Sequence, residues 1–108
     1  MRRPDIPLKV FITGASSGIG LALAAEYARR GAVLGLVARR IEALDAFSRR
    51  FPDTPVATYR ADVRDAHALA VAAEHFIAAH GLPDVVIANA GVSKGVATGH
   101  GDLAAFRE

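Results

Sequence analysis

Four short apolar runs, each separated from the next by a stretch of helical periodicity, constrain this chain more than any other feature. The runs are Val10 to Thr13, Val33 to Ala38, Val56 to Tyr59 and Val85 to Ala88. The first, second and fourth are almost continuously apolar. That pattern predicts strands buried on both faces, as in a parallel sheet covered by helices. From Gly18 to Arg30 the apolar residues Leu23, Ala24, Tyr27 and Ala28 share one helical face. From Asp65 to His80, Leu69, Ala73, Phe76 and Ile77 do the same, and a weaker set (Leu44, Phe47, Phe51) spans Ile41 to Phe51. Gly31 and Gly81 are expected to end the first and third helices, with Pro83 preventing continuation.

The order is therefore β-α-β-α-β-α-β. Strict alternation with short connections predicts right-handed crossovers and an α/β fold with a doubly wound, four-stranded parallel sheet. After the fourth strand, Gly95, Gly99 and Gly101 mark a loop. Asp102 is expected to cap the start of a fourth helix at Leu103. The sequence shows no internal boundary or repeat and reads as one domain over residues 1–108, cut within that last helix at Glu108.

Composition removes several functions. Cysteine is absent, which excludes disulfides, thiolate catalysis and cysteine metal sites. Net charge is only +2, and the arginines come mostly as doublets rather than as one basic face with aromatics between. Nucleic-acid binding is not expected. Arg29-Arg30 and Arg49-Arg50 fall near helix ends, where they complement the dipole and need no ligand. No apolar run approaches the ~20 residues of a membrane helix, and residues 1–7 lack the apolar centre of a signal peptide. A soluble, cytoplasmic protein is the expectation.

The chemistry is concentrated where strands end. Thr13 to Gly20 reads TGASSGIG and joins the first strand to the first helix. Glycine there permits positive φ and lets backbone approach a phosphate without a Cβ. A helix N-terminus adds unpaired N–H groups and the positive end of a dipole. Ser16 and Ser17 bring hydroxyl donors. An NTPase phosphate loop would need Lys and then Ser or Thr after its last glycine, and Gly20 is followed by Leu21. The turn therefore predicts a dinucleotide pyrophosphate.

NAD-selective domains place an acid at the end of the second strand, roughly 20 residues past the glycines. Ala38 occupies that place here, followed by Arg39 and Arg40. A carboxylate would repel a 2′-phosphate and a guanidinium binds it. NADP(H) is the expected cofactor rather than NAD(H), with Arg39 as the main contact and Arg40 beside it. At the ends of the third and fourth strands stand Asp62-Val63 and Asn89-Ala90-Gly91. Asp62 is expected to accept from an adenine amino group, with Val63 against the ring. Asn89 is expected to bridge neighbouring loops through its amide, and Gly91 to permit close approach to the cofactor.

TGASSGIG, ADV (61 to 63) and NAG (89 to 91) together make the sequence closely similar to the short-chain dehydrogenase/reductase family. The resemblance runs from Lys9 to about Phe106. It implies a Rossmann-like fold and hydride transfer between NAD(P)(H) and a small-molecule alcohol or carbonyl. It assigns Gly14, Ser16, Ser17, Gly18, Ile19 and Gly20 to the cofactor's phosphates and adenine-side ribose. Arg39 takes the place of an NADP-selecting base, and Asp62 and Val63 that of adenine contacts. Asn89, Ala90 and Gly91 support the cofactor's centre. It also places the helix beginning at Asp102 near a common oligomer surface, so a homo-oligomer is expected. The isolated chain should self-associate or fold poorly.

The family's proton transfer uses a tyrosine with a lysine four residues later, an upstream serine and usually an asparagine. Tyr27 is followed four places on by Gly31, and Tyr59 by Val63. No Tyr-x-x-x-Lys occurs in the 108 residues, and Ser93 stands too early to match the catalytic serine. No catalytic residue is therefore assigned within the chain; by the resemblance, the catalytic set is expected beyond Glu108. The chain alone is expected to be inactive, carrying cofactor binding only. A non-catalytic dinucleotide-binding or redox-sensing module, or an inactive fragment, is the alternative reading. The four histidines show no metal-ligand spacing. Lys94 reads as an exposed loop residue.

Overall fold

Residues 6–89 are described by a computed structural model. The strands are β1 (Lys9–Thr13), β2 (Val33–Ala38), β3 (Val56–Arg60) and β4 (Val85–Ala88). The helices are α1 (Gly18–Arg29), α2 (Ile41–Arg50) and α3 (Ala66–His80). All pairings are parallel, and the order across the sheet is β3-β2-β1-β4. The parallel sheet is what the alternation predicts, and the Rossmann-like arrangement is what the family resemblance implies. The direction of travel reverses between β3 and β4, because the chain returns past β2 and β1 to reach the far edge.

Side-chain alternation in the strands separates two cores. Val10 and Ile12 of β1, with Leu34 and Leu36 of β2, face α1 and α2, where Ala24, Ala28, Leu44 and Phe47 bury against them. Phe11 and Val37 face the other way and meet Ala72 and Phe76 of α3. Gly35 in β2 makes that second contact possible. A Cβ there would come within 2.6 Å of the Phe76 ring and 2.8 Å of the Phe11 ring. The two rings instead lie 5.5 Å apart, centroid to centroid, a favourable tilted pair.

Two expectations need correction. The α3 face is turned slightly from the one its sequence suggested: Leu69, Ala73 and Phe76 pack inward as expected, but Ala72 is buried with them and Ile77 is 37% exposed. β4, for all its continuous apolarity, is not buried on both faces, and Val86 is 41% exposed. The cause is shared. Among the described residues only α3 covers this face of the sheet, and it lies toward β2. A groove of about 670 Å³ remains beside β4, bordered by Phe11, Phe76, Ile77, Leu82 and Val86. The helix expected from Asp102 up to Glu108, with Ser93 and Lys94, lies outside the described residues. No helix of the described residues is long and apolar enough to cross a membrane.

Candidate functional site

The carboxyl ends of all four strands form one rim, and the glycine-rich turn is braced from three of them. It leaves β1 at Thr13. Ala15, fully buried, donates its N–H to the Val37 carbonyl of β2 at 2.8 Å. From the end of β4, the Asn89 side-chain amide donates to the Gly14 carbonyl at 3.2 Å and to Ser17 Oγ at 2.6 Å. The Asn89 backbone N–H donates to the Thr13 carbonyl at 3.2 Å. Asn89 thus bridges the turn as its amide chemistry suggested.

The glycines of the turn have distinct tasks. Gly14 has φ +67°, and a Cβ there would collide with the Asn89 carbonyl. Gly20 is buried, and a Cβ on it would reach the Gly14 carbonyl at 2.8 Å. Both are required by the protein's own packing. Gly18 is different. It is exposed, its φ is ordinary, and nothing lies within 4 Å of where its Cβ would be. No part of the described chain requires glycine there.

Ser17 is the N-cap of α1. Its Oγ accepts from the Gly20 N–H at 3.0 Å as well as from Asn89. A hydroxyl has two acceptor lone pairs and one donor hydrogen. With both acceptor positions used, Ser17 has only its hydrogen left to offer. Sequence reasoning saw a ligand donor here and missed the cap, although Ser followed by a helical run is a recognised cap signal. The Gly18 and Ile19 N–H groups have no acceptor among the described residues. They open the helix at the positive end of its dipole. Ile19 extends beside them, 69% exposed. Ser16 is half-buried in the same turn.

Arg39 and Arg40 leave the end of β2 exposed. Arg40 is the N-cap of α2 and makes no side-chain capping bond. A cation at a helix N-terminus is electrostatically unfavourable, so helix stability does not account for it. Next along the rim, Ala61 donates its N–H to the Ala38 carbonyl at 3.0 Å, which brings residue 62 beside residue 39. Asp62 is gripped by Arg64. The Arg64 backbone N–H and Nε reach Oδ1 at 2.9 and 3.1 Å, and a terminal guanidinium nitrogen reaches Oδ2 at 2.8 Å. These bonds from Arg64, with a smaller contribution from the Arg39 charge, hold the Asp62 carboxyl well below the usual carboxylate range. This pair was not foreseen. Its only sequence signal is the Asp-x-Arg spacing. Val63 is half-buried in the same turn, and Ala90 and Gly91 lie outside the described residues.

The residues present suit a dinucleotide. Among the described residues, two N–H groups without an acceptor and a donor-only hydroxyl surround a bare Cα at a helix start, and the Arg39 guanidinium, outside any ion pair, stands one strand away. His75 is not part of this rim arrangement: its Nδ1 meets the Tyr59 hydroxyl at 2.8 Å on the α3 side of the sheet. Among the described residues no cluster of His, Asp and Glu is arranged to hold a metal.

Comparison with known proteins agrees. A family model described as short chain dehydrogenase matches residues 8–108. An uncharacterised oxidoreductase of Mycobacterium tuberculosis is 39% identical over 99 residues, covering 88% of this chain and 39% of that protein. L-Sorbose reductase from Gluconobacter frateurii, solved with NADPH and L-sorbose, superposes with a TM-score of 0.70 at 33% identity, covering 85% of this chain and 36% of the other. A metagenomic short-chain oxidoreductase in complex with NADP gives 0.73 at 35% identity, covering 83% and 41%. The chain therefore spans well under half the length of these relatives.

Proposed function

Because the chain belongs to the short-chain dehydrogenase/reductase family, we propose that it forms the NADP(H)-binding part of an oxidoreductase acting on a small alcohol or carbonyl. The observation that carries this reading is Gly18, an exposed glycine with open space around it, next to N–H groups that no described residue accepts from. Phosphate oxygens are the acceptors such an arrangement suits. Gly14 and Gly20 keep the turn in shape, and Asn89 fixes it to β4. Gly18, Ile19 and the hydroxyls of Ser16 and Ser17 hold the pyrophosphate and adjoining ribose. Arg39 meets the 2′-phosphate with Arg40 beside it. Asp62 and Val63 border the adenine, and Ala90 and Gly91 support the centre of the cofactor. Two solved relatives, bound to NADPH and NADP, support the phosphorylated form.

When bound, the dinucleotide supplies or accepts the hydride. This chain's residues position it. None of the 108 residues provides the family's tyrosine–lysine pair, so these residues bind without carrying out the proton transfer.

Fluorescence titration tests the reading. NADPH should bind more tightly than NADH, with no turnover of alcohols or carbonyls by the chain alone. Charge-assisted hydrogen bonds contribute ~1.5–3 kcal/mol. Arg39→Ala should therefore weaken NADPH about ten-fold or more while leaving NADH nearly unchanged. Equal affinities in the wild type, or no binding of either nucleotide, would overturn the assignment.

A further inference from the structure

We propose that Arg64 is a positioning residue for cofactor choice: it occupies the Asp62 carboxylate and so leaves Arg39 free to meet a 2′-phosphate. The inference rests on the cofactor reading above and adds to it a residue that never touches the phosphate.

The geometry poses a competition. β2 and β3 end side by side, with Ala38 in register with Arg60, and the pairing continues through the Ala61-to-Ala38 hydrogen bond. Asp62 and Arg39 therefore emerge as neighbours. An unattended carboxylate next to a guanidinium pairs with it, because bidentate Arg–carboxylate contacts are among the stronger charge-assisted bonds. Such a pair would remove the cation from the place where a 2′-phosphate needs it. It would also put negative charge against that phosphate.

Arg64 prevents this. Its backbone N–H, Nε and a terminal guanidinium nitrogen take three acceptor positions on Asp62. A carboxylate offers about four, so roughly one is left for an adenine amino hydrogen. Arg39 has no ion-pair partner among the described residues, and its charge acts on Asp62 only through space. Within the group Arg39, Asp62 and Arg64, two guanidiniums and one carboxylate leave one surplus positive charge, which Arg39 carries, and Arg40 adds to it from the next position. Arg64 does this from solvent: its side chain is 79% exposed. It holds up no core residue, so removing it should leave the fold intact.

The test is a titration of NADPH and NADH against the full chain in three forms: wild type, Arg64→Ala, and Arg64→Ala combined with Asp62→Asn. An exposed ion pair is coupled by up to about 1 kcal/mol, which is roughly five-fold in affinity. Arg64→Ala should lower NADPH affinity about three- to five-fold and leave NADH unchanged, with a melting temperature lowered only slightly, by the loss of one exposed ion pair. Adding Asp62→Asn should restore the preference for NADPH over NADH, because a neutral amide does not hold Arg39 in an ion pair; any change in the adenine contact falls on both nucleotides alike. Undiminished NADPH affinity in Arg64→Ala, or an equal loss for both nucleotides, overturns the inference. A preference for NADPH that stays diminished in the double variant also overturns it, since Arg64 would then act directly on the ligand or the turn. A wild type that does not prefer NADPH defeats the cofactor reading itself, whereas a preference that Arg64→Ala leaves intact defeats only the role of Arg64.

Discussion

The two faces of the sheet are built from the same strands and differ in how completely they are covered. On one face, Val10, Ile12, Leu34 and Leu36 disappear beneath α1 and α2. On the other, among the described residues, Phe11 and Val37 meet α3 alone, and the area beside β4 is open with Ile77, Leu82 and Val86 partly in solvent. Topology explains the difference. The crossovers β1-α1-β2 and β2-α2-β3 travel in one direction, and a right-handed connection places both helices on the same face. The crossover through α3 travels back and must use the opposite face. The closed face anchors β1 and β2, the strands that carry the glycine turn and Arg39. The rim is thus held from the finished side of the molecule.

The largest expected effect comes from comparing two fully buried phenylalanines. Phe47 lies in the closed face and Phe76 in the open one. Phe→Ala in a core costs ~3–5 kcal/mol, part of it for the enclosed cavity left behind. Phe47→Ala should fall at the upper end, about 4 kcal/mol or more. Phe76→Ala opens onto an existing groove, so its cost should be about 1 kcal/mol smaller. Urea denaturation of both variants measures the difference, and equal losses would mean that the two faces are equally closed.

Smaller in free energy is Val86→Lys. The residue is already 41% exposed, and exposed substitutions usually change stability by about 0.5 kcal/mol or less. An uncovered apolar edge invites pairing with other chains. The variant should therefore keep its melting temperature and lower concentration-dependent association, read by light scattering. A large loss of stability would show that the open face is covered after all.

The same contrast explains what could be read from sequence. β1 and β2 announced themselves because residues buried on both faces leave an unbroken apolar run. β4 has the same composition, and its exposure depends on what covers the sheet, which no local pattern records. The α3 face departs from its pattern only at the margin: Leu69, Ala73 and Phe76 pack on the core, whereas Ile77, as apolar as Phe76, lies outside it, because Gly35 leaves room for the Phe76 ring. At the rim the motif positions were legible and their internal contacts were not. Gly14, Gly18 and Gly20 look alike in sequence, yet two serve packing and one faces open space. Ser17 proved to be a cap, and the grip of Arg64 on Asp62 depends on a turn geometry that spacing alone does not specify.

The smallest expected effect concerns that turn, which leads β3 into α3 on the open face. Asp62 in the folded protein is held well below the usual carboxylate range, first by the Arg64 side-chain bonds and next by the Arg64 backbone N–H. In the unfolded chain an aspartate titrates near ~3.9. A folded value below the unfolded one means that the ionised pair favours folding above that pH, and that the contribution is lost as pH falls below it. Asp62 is half-buried and its partner Arg64 is exposed, so solvent screening keeps the effect small. Asp62→Asn removes the titration, since an amide has no proton to gain. The wild type should melt slightly above Asp62→Asn near neutral pH, and the gap should narrow steadily once the pH drops under about 4. Amides in the first turn of α3 should lose exchange protection over the same range, while those of α1 and α2 follow the remaining carboxylates. A gap that widens on acidification would contradict the pairing seen between Asp62 and Arg64. A loss of protection spread evenly over all three helices would mean that the turn serves the whole sheet and not only its open face.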